Sequence, residues 1–284
     1  MTSAEIVKAT AGYYFADTGR GTYMCRARGI FKKRGVTPLV GDFASITIQD
    51  DGEGVIEEIL ERRNSFIRPP VANIDMLVVT ASVASPSPVT EVIDRLLVSA
   101  EAAGAGGVVC INKEDLSEKA AEKLMAVYAP IYPTAVVSAK TGEGTDRLYD
   151  IIKGRRAAFA GASGVGKTSL LSVFLDRDDL ETGDVSAKTG RGRHTTRVVE
   201  TFRRADGTVL YDTPGFTSFD IADTGGEKPG LLFPEFERLV GACRFADCGH
   251  TDEPDCAVKA AVKKGSVAKS RYASYLAILS DYKR

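Results

Sequence analysis

No apolar run in this 284-residue chain approaches the ~18 residues that a membrane-crossing helix needs. The opening stretch, MTSAEIVKATAGYYFADTGRG, likewise lacks the apolar core of a secretory signal, so a cytoplasmic, soluble protein is expected. An excess of charge is missing too. Lys and Arg total 37 against 38 Asp and Glu, and a net charge of −1 excludes a global field that would draw the chain to nucleic acid or an anionic membrane. Any RNA contact must come from a local patch. No heptad pattern, internal repeat or low-complexity tract is present, which removes coiled coils and solenoids and leaves a monomer as the expectation. The five cysteines are odd in number and three of them crowd one short region, a pattern of metal binding rather than of a disulfide framework. Cys25 and Cys110 lie in apolar, strand-like runs and read as buried thiols.

Hydrophobic content of 44% is that of a globular protein, and the length allows two or three domains. Up to residue 68 the chain reads as short strands with alternating polarity and Gly/Asp turns, which predicts a small antiparallel barrel. RPPVAN, 68–73, reads as a linker, because adjacent prolines favour an extended, unpaired chain. From residue 76 the pattern changes to strands alternating with helices: MLVVTAS, TEVIDRLLVSAEAAG, GVVCIN, SEKAAEKLMAVYA, TAVVS, TDRLYDIIK and RAAFA. That alternation predicts an α/β domain with a parallel sheet covered on both faces. Asp206-Gly207 between two strand-like runs predicts a hairpin. Beyond about residue 233 the chain reads as helical and bears the clustered cysteines.

GASGVGKT, 161–168, fits G-x-x-x-x-G-K-[ST], with Gly161, Gly166, Lys167 and Thr168 at the defining positions and Ala162, Ser163, Gly164 and Val165 between. It follows a strand and opens an apolar helix beginning with Thr168 and Ser169. In that setting backbone N–H groups converge on phosphates, Lys167 neutralises them and the Thr168 hydroxyl can ligate Mg²⁺. The loop alone does not separate ATP from GTP. NKED supplies Asn112, Lys113 and Asp115 at a strand end, where a carboxylate can accept from guanine N1–H and the 2-amino group. Adenine would leave Asp115 unpaired, which disfavours an ATP-using protein. Ser138, Ala139 and Lys140 suit the other edge of the base. In YDTPG, Asp212 is placed to hold Mg²⁺ through water and the Gly215 N–H to meet the γ-phosphate. Between lies KTGRGRHTTR, where Thr195 or Thr196 is placed to close over the metal, with Thr196 joined to Thr168 and Asp212 as the magnesium set.

These elements run NKED, SAK, phosphate loop, Thr, DTPG, a cyclic rotation of the order in which a guanine-nucleotide switch usually carries them. Rotation preserves a folded site if the old termini can be bridged, and the helix at 145–153 leads through Gly154 straight into the phosphate-loop strand. In this permuted order the chain resembles the circularly permuted, ribosome small-subunit-dependent GTPases of bacteria, the RsgA or YjeQ family, over nearly its whole length. The resemblance implies an OB-fold barrel at 1–68, a permuted GTPase domain at 69–232 and a zinc-bearing, mainly helical domain at 233–284. It also implies GTP hydrolysis to GDP and phosphate, stimulated by the 30S subunit late in its maturation. The partners implied are the 30S subunit and its 16S rRNA, with no DNA and no membrane.

CRFADCGHTDEPDC places Cys243, Cys248, His250 and Cys256 in C-x₄-C-x-H-x₅-C spacing. Three thiolates and one imidazole complete a tetrahedral Zn²⁺ with no open position, so a structural metal is expected, whose removal would unfold the region. Arg26, Arg28, Lys32, Lys33 and Arg34, interleaved with Tyr23 and Phe31, offer a barrel both phosphate neutralisation and stacking surface, though lysines and arginines in a loop also read as a solvated face. In the tail, Tyr272, Tyr275, Leu276 and Leu279 form a helical stripe expected to pack on the protein itself. Phe216 stands where Ras-like enzymes carry the Gln that orients water. His194, in a Gly-x-x-His-Thr-Thr setting, resembles the family's proposed catalytic histidine, while a lone surface His is often inert. An RNA-binding assembly module with a structural or hydrolytically inactive guanine-nucleotide site is therefore the alternative reading.

Overall fold

The structure, a computed structural model, describes residues 1–10, 12–67, 69–177, 199–213 and 227–282. The N-terminal strands are β1 (Thr2–Thr10), β2 (Tyr13–Asp17), β3 (Thr22–Ala27), β4 (Phe43–Ile48) and β5 (Gly54–Ile59), with a short helix α1 (Gly29–Lys33) after β3. They pair in the order β1-β2-β3-β5-β4, and β4 returns to β1, closing a barrel. Ala4, Ile6, Ala16, Cys25, Ala44, Ile46 and Ile56 fill it. The barrel departs from the antiparallel expectation at one pair, since β3 and β5 run parallel. The crossover through α1 and β4 supplies the long connection that a parallel pair requires.

RPPVAN is not an open linker. Val71–Ala72 (β7) pairs antiparallel with Ser65–Phe66 (β6), and Val71, Ala72 and Ile74 are fully buried. Pro69 and Pro70 occupy the turn between the two strands, where no ladder hydrogen bond is asked of them.

The α/β alternation follows the expected course: β8 (Met76–Ser82), α2 (Thr90–Ala102), β9 (Gly106–Asn112), α3 (Glu118–Tyr128), β10 (Thr134–Val136), α4 (Thr145–Ile152), β11 (Arg156–Ala160), α5 (Lys167–Leu175), β12 (Val199–Arg203) and β13 (Val209–Asp212). Their order is β10-β9-β8-β11-β13-β12, all parallel except β12, which forms the expected hairpin with β13. β8 is apolar throughout because both its faces are covered. Leu77 and Val79 pack on the α2–α3 side and Val78 on the α4–α5 side. The sheet does not stop at β12, however: Lys8 and Ala9 of β1 pair with Glu200 and Val199, so barrel and nucleotide sheet are one 11-stranded assembly. A register shift between Ile6 and Lys8 bends β1 enough to serve both.

The C-terminal region holds a 3₁₀ turn (Pro229–Leu232), α6 (Pro234–Glu237), α7 (Ala257–Lys264) and α8 (Lys269–Tyr282). Phe233, Phe236, Val258, Tyr275 and Ile278 form its core and share that core with Val98 of α2. Of the expected stripe, Tyr275 is buried and Tyr272 and Leu279 pack against the core, whereas Leu276 stays 36% exposed. No helix among the described residues is long and apolar enough to cross a membrane.

Candidate functional site

β11 lies at the middle of the α/β sheet, between β8 and β13, and the phosphate loop leaves its C-terminal end to enter α5. Ligands of open parallel sheets bind at such strand ends. Two glycines of the loop are obligatory. Gly161 has φ of +144° and a Cβ there would stand 2.1 Å from the Thr80 carbonyl oxygen; Gly166 has φ of +98° and its Cβ would stand 2.2 Å from Asn112 Nδ2. The close approach at Gly166 is a joint between two motifs. Asn112 Nδ2 donates to the Val165 carbonyl (2.8 Å), and Asn112 Oδ1 accepts from the Ala139 N–H (3.0 Å). Asn112, 1% exposed, thus staples the phosphate loop to the SAK segment, a role that its sequence position alone had not distinguished from direct base contact. Replacing it would strand two buried polar groups at about 1–3 kcal/mol each.

Asp115 remains exposed at the rim, and its Oδ1 accepts from the Ser138 hydroxyl (2.7 Å), which fixes the carboxylate. Lys113 takes a left-handed backbone (φ 66°) and its Nζ donates to the Ser85 carbonyl, which ties the base motif to the loop before α2. Asn112, Lys113, Asp115, Ala139, Lys140, Gly166 and Ser169 line one cleft of about 350 Å³, joined by Leu116, which carries no sequence signal of its own. Motifs far apart in the chain therefore meet on a single concavity.

Lys167 Nζ donates to the carbonyls of Gly161 (2.8 Å) and Ala162 (3.0 Å), held back along its own loop. Burial lowers its pKa to about 8, against the pull of Asp212, which favours the charged form. The carboxyl of Asp212 is pushed up, first by burial and then by the negative charge of Glu200, its direct cross-strand partner. Thr213 donates to the Phe159 carbonyl (2.7 Å), pinning the end of β13 beside the phosphate-loop strand. Thr168 and Ser169 lie in the first turn of α5. His194, Thr195, Thr196, Gly215 and Phe216 lie outside the described residues.

In the C-terminal region the ligating atoms of Cys243, Cys248, His250 and Cys256 all lie within 4.8 Å of one another. Cys243 Sγ and Cys256 Sγ are 4.0 Å apart, and His250 Nδ1 is 3.6 and 3.5 Å from them. Tetrahedral zinc with sulfur at about 2.3 Å spaces its thiolates by roughly 3.8 Å, close to the Cys243–Cys256 separation, so the donor set fits such a metal. The Glu253 carboxylate accepts from the N–H groups of Gly249 (2.7 Å) and Thr251 (2.8 Å), and Tyr275 and Tyr272 donate to the carbonyls of Gly249 and His250. These bonds hold the ligand loop from outside.

The basic and aromatic residues of the barrel are brought together only in part. Arg26 lies over the Tyr13 ring (5.0 Å) and Arg28 pairs with Glu57. Phe31 is withdrawn: α1 turns it into the core at 8% exposure, so it offers no stacking face.

Three comparisons with known proteins agree with this geometry. The family model for the RsgA GTPase matches residues 59–222, and that for the RsgA N-terminal domain matches 4–56. A small ribosomal subunit biogenesis GTPase RsgA of Caldanaerobacter subterraneus subsp. tengcongensis is 43% identical over 281 residues, 98% of this chain and 95% of its own length. Its counterpart in Alkaliphilus metalliredigens is 38% identical over 288 residues, 100% of this chain and 99% of its own. Among solved structures, YjeQ from Thermotoga maritima superposes with a TM-score of 0.78 at 32% identity, covering 99% of this chain and 98% of that one. YloQ, described as a circularly permuted GTPase, gives 0.74 at 33% identity over 100% and 95%. With its base motif, its SAK segment and the end of its phosphate loop meeting on one cleft, its closed N-terminal OB-fold barrel and its Cys₃His cluster, this chain belongs to the RsgA/YjeQ family of circularly permuted GTPases.

Proposed function

We propose that this GTPase assists the late maturation of the 30S ribosomal subunit in the cytoplasm, hydrolysing GTP to GDP and phosphate with stimulation by the subunit. The observation that carries the guanine reading is the cleft on which Asp115, Lys140 and Gly166 meet. The subunit is carried over from the curated relatives, whose names state small ribosomal subunit biogenesis. In this reading the protein works as a monomer in three parts, 1–68, 69–232 and 233–284, with the first touching 16S rRNA. Asp115 reads the guanine edge, and the N–H groups from Ala162 to Ser169, with Lys167, hold the phosphates. Thr168, Thr196 and Asp212 hold Mg²⁺, which when bound neutralises charge on the phosphates. Cys243, Cys248, His250 and Cys256 hold a structural Zn²⁺. His194 acts on the attacking water in place of the glutamine that Phe216 replaces. Phosphate release measured with and without purified 30S subunits is expected to rise sharply on their addition, and His194→Ala to abolish that rise while GTP binding persists. Equal release in both conditions would remove the subunit from the function.

A further inference from the structure

β12 would be the free edge of the nucleotide sheet in a GTPase without the barrel. Here β1 covers it, and the contacts form a graded series along the seam. Arg203 Nη2 donates to Glu5 (2.6 Å), the Thr201 hydroxyl donates to the Val7 carbonyl (3.3 Å), and Lys8 Nζ donates to Glu200 Oε2 (3.0 Å). Glu5 is also held by Arg156 (2.7 Å), at the start of the phosphate-loop strand. The Lys8 end of this seam is the one nearest the nucleotide site. Glu200 stands directly opposite Asp212 in the β12–β13 register, and the two carboxylates share a face of the hairpin. Lys167 attracts Asp212 from the phosphate-loop side. Lys8, Glu200, Asp212 and Lys167 thus form a row from the barrel to the phosphate loop in which two adjacent acids are flanked by two lysines, and the barrel contributes its outer member.

We propose that Lys8 is a positioning residue for the nucleotide site: by holding Glu200 toward the barrel it keeps that carboxylate away from Asp212 and Lys167. Like charges directly opposite on neighbouring strands repel. With Lys8 removed, Glu200 is free to swing toward Lys167 and compete with the phosphates for the one ammonium of the loop. Lys8 touches no nucleotide in this scheme and acts only through Glu200. The seam also explains why a barrel should matter to a GTPase at all, since one strand of the barrel sets the charge beside Asp212. Both members of the ion pair are about a third exposed, so the effect is modest and weakens with salt.

The inference rests on the guanine-nucleotide reading, and titration of full-length protein with a fluorescent N-methylanthraniloyl GDP in the presence of Mg²⁺ tests both. Lys8→Glu is expected to raise the Kd roughly fivefold, about the scale of turning one partly exposed attraction into a repulsion. Lys8→Arg should leave the Kd within about twofold, and the exchange Lys8→Glu with Glu200→Lys should restore it. A purely structural role for the seam would show the same loss in any background. Action through Glu200 would not: in Glu200→Gln the Lys8→Glu change should shift the Kd by less than about twofold. An unchanged Kd in Lys8→Glu, failure of the charge exchange to restore binding in a folded protein, or an equal loss in Glu200→Gln would overturn the proposal. Failure of the unsubstituted protein to bind the GDP probe would instead overturn the guanine-nucleotide reading on which it stands.

Discussion

In the proposed function Asp115 carries the choice of base with a single functional group, a carboxylate that can only accept. Ser138 fixes one of its oxygens, and the residue lines the cleft. Asp115→Asn exchanges one acceptor for a donor, so the 2-amino group of guanine would meet an N–H₂ while the 2-oxo group of xanthine would be matched. Guanine affinity is expected to fall at least about 100-fold and a preference for xanthosine nucleotides to emerge, measured by competition against a labelled nucleotide. Most of the site was legible at this scale because glycine, lysine and the Asn-Lys-x-Asp run carry their chemistry in residue type and spacing. Leu116, Ser85 and Glu200 were not legible, since an apolar residue, a backbone carbonyl and an exposed-looking acid say nothing until a partner is beside them.

Among the elements, the β12–β13 hairpin is held at both ends. Its base pairs with β1, and its tip is pinned to α4, where the Tyr149 hydroxyl donates to Asp206 (2.7 Å) and Arg204 lies over the Tyr149 ring. Together with the Thr208 N–H, that hydroxyl holds the Asp206 carboxyl down to about 2, below its ordinary 3.8. A carboxylate with a depressed folded pKa stabilises the fold above the unfolded value, and the contribution disappears as pH falls from 3.8 toward 2. Tyr149→Phe should therefore raise the Asp206 midpoint toward 3.8, which a carboxyl-carbon NMR titration reads directly. The hairpin itself was visible in Asp206-Gly207, whose glycine takes φ of +87° in the turn. The β6–β7 pairing was hidden because two prolines suggest an unpaired chain, and only the turn geometry shows them lying outside the ladder.

At the scale of the whole molecule, Arg271 of α8 joins the C-terminal region to the nucleotide domain. Fully buried, it binds Asp94 of α2 (2.8 Å) and, through two nitrogens, Glu235 of α6 (2.8 and 3.0 Å), with the Phe233 ring 4.5 Å from its guanidinium. Tyr128 donates a further bond to Asp94 (2.9 Å). Removing the cation would leave two acids buried without it. Arg271→Ala is expected to cost about 3–5 kcal/mol of unfolding free energy in a denaturant titration. A loss under about 1 kcal/mol would show that the junction relaxes and admits water.

What the sequence by itself determined was local: the strand and helix periods, the glycines demanded by a phosphate turn, the Cys₃His cluster within fourteen residues and the rotated motif order. Each depends on neighbours a few positions away, or on residue types whose chemistry is their own. Only the tertiary structure decided which distant charges meet. The Lys8–Glu200 and Arg271–Asp94 pairs span 192 and 177 positions, and a lysine or arginine with many possible partners in sequence acquires one only when sheet register and helix packing bring it there.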